Sequence, residues 1–445
     1  MLNDALMLAR IQFALTAIFH YLYPPLTIGL GWIMAFMSYK RFKTEEDLYD
    51  KMSRFWTGIF AITFAMGVTT GIVMEFEFGT NWSEYSRFVG DVFGSPLAAE
   101  ALISFFLEST FLGILVFGWN RVSKKMHFFA TLMVALGATL SALWIIVANS
   151  WQQTPAGYHV VETALGPRAE ITSFWQMFFN YSTIGRFSHV IFSAIVNSAF
   201  VVMSISAYYL LKGKYENFAK YSLKVALVFG CIGAYLVLLA GHHQAIVVSR
   251  HQPAKLAAFE GHFKTTGEGT PFYLFGIPNE QAQRVDYGVA VPGFLSFLVY
   301  FDFTKPVTAL DQFPPEDRPP VALPFFSFHI MAVLGMFFIL LTTLSMFLWW
   351  RGTLFNYRWL LWIFVFSFPL PYIANMLGWI AAEVGRQPWI VQNLLRTKDG
   401  ISPGVSASQV LGSMIMFTTI YSVLFILYIF LLLKKIKKGP EVLTH

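Results

Sequence analysis

The chain has 445 residues, of which 56% are hydrophobic and only 13% charged, with a formal net charge of +6. A soluble domain carries about 25% charged residues, so composition excludes a water-soluble globule and makes the bilayer the solvent of much of the chain. The basic excess sits in loops rather than marking a nucleic-acid binder, and the single cysteine, Cys231, excludes an intrachain disulfide, a c-type haem attachment and a cysteine-held iron–sulfur cluster.

A membrane span needs about 20 mostly apolar residues. Nine segments qualify, at roughly 12–38, 55–76, 97–118, 127–149, 186–210, 221–243, 322–349, 358–382 and 409–433. The chain therefore reads as an all-α polytopic membrane protein with about nine transmembrane helices, a single domain over 1–445 without an internal repeat. The first segment has no basic n-region and no small-residue cleavage site, so it reads as a mature span. Lys and Arg alternate between the loops. One side holds Lys40, Arg41, Lys43, Lys51 and Arg54, then Arg121, Lys124 and Lys125, then Lys212, Lys214, Lys220 and Lys224. The same side takes Arg351 and Arg358 and the run Lys434 to Lys438. The positive-inside rule puts this side in the cytoplasm, with the N-terminus outside and the C-terminus inside. The connection at about 244–321 then falls outside. It is polar and rich in Pro and Gly, and reads as a long structureless loop, which is usually functional.

Ionisable groups inside spans are costly and are functional candidates. His20 lies in Phe19-His20-Tyr21-Leu22-Tyr23-Pro24-Pro25. Pro24 and Pro25 cannot donate to the carbonyls of His20 and Tyr21, so the helix should kink beside the histidine. Gly67 and Gly71 in the second span form a GxxxG, read as close helix packing. Glu100 and Glu108 share the third span; at 3.6 residues per turn they stand about 80° apart and about 12 Å apart along the axis, which suits a proton relay. His189 begins the fifth span, with Ser193 and Ala194 leaving room for a flat ring. Met331 lies in the seventh at a similar depth. His329, about 200° around the helix from it, cannot share its metal face but could meet a haem propionate. In the eighth span Asn375, Trp379 and Glu383 follow at i, i+4 and i+8 on one face, and Arg386 is within reach of Glu383. Imidazole, thioether and carboxylate from different spans, with no cysteine among them, fit haem iron better than magnesium or zinc.

The residues also carry a resemblance. FHYLYPPLTIGL within Arg10 to Leu30, MEFEFGTNW at 74–82, LAAEALISFFLESTFLGI at 97–114 and LSALWIIVANSW at 140–151 follow one another in order. KLAAFE at 255–260, FSFHIM at 326–331 and GWIAAEVGRQPW at 378–389 complete the set. With these the chain resembles the large subunit of cytochrome bd-type quinol oxidases over nearly its whole length. The resemblance implies a quinol:oxygen oxidoreductase of the bacterial or archaeal cytoplasmic membrane, reducing dioxygen to water and building a proton gradient without pumping. It implies two haem b, one low-spin and one high-spin, and one haem d. His189 and Met331 would ligate the low-spin haem b. His20 and Glu383 would ligate the other two, in an order the sequence leaves open. Arg10, Trp379 and His329 would line the haem pockets, with Arg386 beside them. Glu100 and Glu108 would carry protons, and Lys255 and Glu260 would meet the quinol. The implied partners are a second large membrane subunit, a small single-span subunit as a further candidate, quinol, dioxygen and lipid, with no nucleic acid. Two departures stand out. His329 replaces an arginine common in the family, and the outer loop is of the shorter form, which leaves the quinol type open.

Two rival readings remain on sequence alone. A proton-coupled secondary transporter explains the intramembrane glutamates and broken helices but not Met331. A non-catalytic haem sensor explains the ligands but predicts no turnover.

Overall fold

The structure is a computed structural model that describes residues 4–44 and 46–440. Among the described residues nine helical segments are long and apolar enough to cross a membrane: Ala5–Thr44, Asp47–Thr80, Ser83–Phe117, Lys124–Gln153, Thr183–Leu211, Glu216–His251, Ala322–Trp350, Arg358–Val384 and Ala407–Lys438. They are called spans one to nine below. Consecutive crossings bring all the lysine-rich connections to one end of the bundle, the basic face. The long connection between spans six and seven lies at the other end, the loop face.

Three spans are broken, each for a readable reason. Span one stops at His20 and restarts at Pro24, where the two prolines withhold the donors a continuous helix needs. Span eight breaks at Phe368, between helices Arg358–Ser367 and Pro369–Val384, again ahead of a proline. Span three contains a π-turn over Glu100–Phe105, a rare i→i+5 segment that often marks functional sites. The turn overturns the expected 80° offset of Glu100 and Glu108, because 3.6 residues per turn no longer holds between them. Both residues now pack against span four. Ser141 Oγ donates to Glu100 Oε1 at 2.6 Å, and a Cβ on Gly137, one turn away, would come within 2.9 Å of Glu108 Cβ.

Close approaches fix the rest. Gly29 of span one packs on the Ala194 carbonyl of span five, where a Cβ would be only 2.2 Å from the oxygen. Ser198 ties the same pair by donating to the Pro25 or Leu26 carbonyl, each at 3.0 Å. Gly67 and Gly71 give span one room, as the GxxxG spacing predicts: their missing Cβ atoms would lie 3.4 Å from Tyr23 and 3.2 Å from the His20 ring. At the basic face Asp50 accepts from Arg41 and, at 2.7 Å, from Arg54. Both guanidinium groups lie over the Trp119 ring, at 5.1 and 4.6 Å.

The long connection is not structureless. Span six runs on to His251, and Pro253–Phe259 is a short helix, Phe272–Asn279 and Arg284–Val291 pair as an antiparallel hairpin, and Phe294–Tyr300 is helical. Some of its polar groups are satisfied from within: Ser296 Oγ accepts from the Thr270 N–H at 2.7 Å, and His262 Nε2 lies 3.0 Å from the Val307 carbonyl. A second hairpin, Tyr158–Thr163 with Gly166–Ile171, caps the same face between spans four and five.

Candidate functional site

Each candidate ligand sits where a helix break or a glycine opens space. His20 ends the first half of span one. Its Nδ1 lies 2.9 Å from Thr70 Oγ1, while that hydroxyl lies 2.9 Å from the Met66 carbonyl. The hydroxyl has one proton to give and the carbonyl can only accept, so the histidine carries its proton on Nδ1 and leaves Nε2 bare. A hydrogen bond on the far ring nitrogen that fixes the tautomer in this way is what a metal-binding histidine needs. His189 is half-buried with no partner for Nδ1, beside Gly241 of span six, whose Cβ would lie 3.3 Å from the ring. Met331 faces span eight, its Sδ 3.0 Å from where Gly378 would carry a Cβ. One turn from Gly378, Asn375 accepts from Ser193 of span five at 2.9 Å. Span eight thus touches both the helix carrying His189 and the helix carrying Met331.

Glu383 lies at the centre of a polar cluster. Its Oε1 accepts from Asn149 and from Gln153, both at 3.2 Å, and its Oε2 accepts from Arg386. Arg186 stands 4.0 Å from Oε1, bonds Asn149, and lies over the Trp379 ring at 5.7 Å. Trp379 meets Tyr21 edge-on at 5.5 Å, so the pocket beside His20 and the Glu383 cluster share a wall. The sequence reading missed Arg186, Asn149 and Gln153. Arg186 opens a span, where an arginine reads as topological, although it stands one turn before His189, and Asn149 lies inside LSALWIIVANSW with nothing local to mark it.

Lys255 and Glu260 do not sit in an open polar loop as the sequence suggests. Both are 3% exposed, because the short helix that carries them packs on the end of span eight; a Cβ on Gly385 would strike Phe259 and Lys255. Lys255 Nζ donates to Gln153 Oε1 at 2.8 Å. Burial, with the charge of Arg186 added, pushes the Lys255 ammonium well below its usual range. Glu260 Oε2 has no partner, and burial raises that carboxyl to about 8.

One expectation needs correcting. His329 is not free to meet a propionate: its Nδ1 lies 2.9 Å from the Phe325 carbonyl and its Nε2 2.8 Å from the Tyr273 carbonyl. It pins the outer hairpin to span seven, with its ring stacked on Phe325 at 4.1 Å. Arg10 is half-buried on span one, ten residues and about 15 Å of helix from His20.

The residues present fit haem. His20 presents a bare nitrogen and His189 an unpartnered one. Gly71, Gly241 and Gly378 clear space against the ligand side chains. Arg186 Nε and Arg386 Nε and Nη1 are buried without partners, which suits the carboxylate groups of a porphyrin better than a dry apolar cavity would.

The full-length comparison decides the family. The model for cytochrome bd terminal oxidase subunit I matches residues 8–440. The chain belongs to this family. It is 40% identical to the cytochrome bd ubiquinol oxidase subunit 1 of Bacillus subtilis (strain 168), over 99% of this chain and 95% of that one. It is 36% identical to the cytochrome bd-II ubiquinol oxidase subunit 1 of Escherichia coli (strain K12), over 98% and 97%. Its fold matches the bd oxidase from Geobacillus thermodenitrificans with a TM-score of 0.90 at 29% identity, covering 98% of this chain and 99% of that one. As a bd oxidase subunit I with nine apolar helices, the chain is a multi-pass plasma-membrane protein and one subunit of a haem-bearing terminal oxidase. Nothing in the comparisons supports the transporter or sensor readings.

Proposed function

We propose that this chain oxidises a membrane quinol at its loop face and supplies the haem sites at which dioxygen is reduced to water. The observation that carries the reading is the hydrogen-bonded line from Lys255 through Gln153 to Glu383, which joins the proposed quinol site to a proposed haem ligand. His189 and Met331 would hold a low-spin haem b. His20 and Glu383 would hold the other two haems, a high-spin b and a d. When bound, these haems would supply electron transfer and oxygen reduction, chemistry that belongs to the cofactor. The relatives named above act on ubiquinol by title, which supports a quinol substrate here.

The chain's own residues handle binding and protons. Lys255 and Glu260 would hydrogen-bond the quinol head group. A carboxyl at about 8 with a free oxygen accepts a proton from quinol near neutral pH and returns it to the loop face. Protons for water would enter from the basic face by way of Glu108 and Glu100, which the π-turn aligns along span four. Release on one side and uptake on the other builds a gradient without a pump. The positive-inside rule makes the basic face cytoplasmic, so the N-terminus lies outside and the C-terminus inside. The nine spans form one transmembrane domain, with residues 252–321 as its quinol-binding cover. A second large membrane subunit, with a small single-span one as a further candidate, would complete the complex. The test is quinol-dependent oxygen uptake by the purified complex. Glu260→Ala should slow quinol oxidation with the haem bands intact, whereas loss of haem would assign Glu260 a folding role.

A further inference from the structure

Span two carries a seam of polar residues at Thr63, Thr70, Glu77 and Asn81. Steps of seven, seven and four residues keep all of them on one helical face, over about 27 Å of rise. Each finds a different side chain on a neighbouring span. Thr63 Oγ1 lies 3.1 Å from the Tyr428 hydroxyl, Thr70 Oγ1 2.9 Å from His20 Nδ1, Glu77 Oε1 2.6 Å from Thr16 Oγ1, and Asn81 Nδ2 3.1 Å from Gln12 Oε1. On span one the partners Gln12, Thr16 and His20 follow at i, i+4 and i+8. The seam therefore runs from the His20 pocket towards the loop face, with the Glu77 carboxyl against Thr16, about one helical turn of span one from the histidine.

Glu77 is the one acid in the seam, and it is 1% exposed. The Thr16 hydroxyl lies 2.8 Å from the Gln12 carbonyl as well as 2.6 Å from Glu77. One hydroxyl proton cannot serve two acceptors, and the carbonyl has none to give. The arrangement is satisfied when Glu77 itself carries a proton and donates it to Thr16. Glu77 Oε2 has no hydrogen-bond partner, nor does the buried hydroxyl of Tyr421 of span nine. An ionised carboxylate so poorly solvated would be expensive, whereas a neutral acid is tolerated. The other groups facing it, Thr16, Gln12 and Asn81, are uncharged.

We infer that Glu77 is the proton-holding acid of the His20 pocket: it is neutral while an electron resides there, gives up its proton when the electron leaves, and takes one back when the next electron enters. The electron comes from quinol. The proton comes from hydronium in the aqueous phase at the loop face, the end of the seam where Gln12 Oε1 accepts from Asn81 and, at 3.2 Å, from Ser413. Each step leaves the pocket's net charge unchanged. The inference rests on His20 being a haem ligand.

Redox-difference infrared spectra of the purified complex test it. The wild type should show a neutral carboxyl C=O band that responds to reduction, absent in Glu77→Gln and shifted in Glu77→Asp. Persistence of every such band in Glu77→Gln, or loss of carboxylate bands alone, would overturn the inference. If Glu77→Gln does not assemble, Glu77→Asp decides: a shifted neutral band supports the inference and an unshifted spectrum overturns it. Optical spectra of the same samples keep the two readings apart, because His20→Ala should remove a haem while the Glu77 variants keep all of them.

Discussion

Lys255 and Glu383 are joined through a single side chain. Gln153 accepts from the lysine at 2.8 Å with its carbonyl oxygen and donates to the carboxylate at 3.2 Å with its amide nitrogen. The amide has one orientation that serves both neighbours, so the bridge also fixes how the short helix of the long connection sits on spans four and eight. Gln153→Leu removes both bonds and strands buried polar groups, each costing about 1–3 kcal/mol. We expect a lower melting temperature and slower haem reduction by quinol, with haem content retained. Stopped-flow reduction checks this, and an unchanged rate would deny the bridge a part in quinol oxidation.

Glu260 sets a pH dependence. Its carboxyl stands at about 8 in the folded chain because it is buried, so the ionised form that accepts a proton grows as pH rises through that value. Quinol oxidation should therefore rise with pH up to about 8 and level off above it, and Glu260→Ala should flatten that limb. A variant that keeps the full limb would place the titrating group elsewhere.

Met331 is the ligand most easily separated from packing. Leucine fills similar volume against Gly378 but offers no sulfur. Met331→Leu should abolish the low-spin haem b spectrum or turn it high-spin while the chain still folds. An unaltered low-spin reduced spectrum would reject the sulfur as a ligand.

Much of this was legible in the sequence because it depends on local rules. Apolar length gave the nine spans, Pro24 and Pro25 gave the break after His20, and the spacing of Asn375, Trp379 and Glu383 gave one face of span eight. What escaped depends on which helix meets which. The π-turn at Glu100 has no residue signature that a 3.6-residue count detects, yet it decides that both glutamates face span four. Lys255 looked solvent-exposed because the helix it lies on packs against residues more than a hundred positions away. His329 looked like a pocket residue because its depth matched, while its partner carbonyl belongs to Tyr273 of the outer hairpin. Arg186 was hidden by a rule that counts arginines near span ends as topological.

Glu108 tests proton delivery. A permanently charged carboxylate in the middle of a span is costly, so a group there that exchanges protons has a task beyond packing. Glu108→Gln keeps shape but cannot exchange a proton. The haems should still accept electrons from quinol, while oxygen turnover falls by about 10²-fold or more, the scale of lost acid–base catalysis. If Glu108 only packs against Gly137, Gln would be nearly silent and Ala would chiefly lower stability.

The central claim is that electrons pass from quinol, through haems held by this chain, to dioxygen. The most direct measurement follows the visible spectrum and the oxygen concentration together after quinol is added to the purified complex. The account predicts low-spin and high-spin haem b bands and a haem d band, all reduced by quinol under anaerobic conditions, then reoxidised as oxygen is consumed. Haem bands that quinol does not reduce, or reduced haems that leave oxygen untouched, would contradict it.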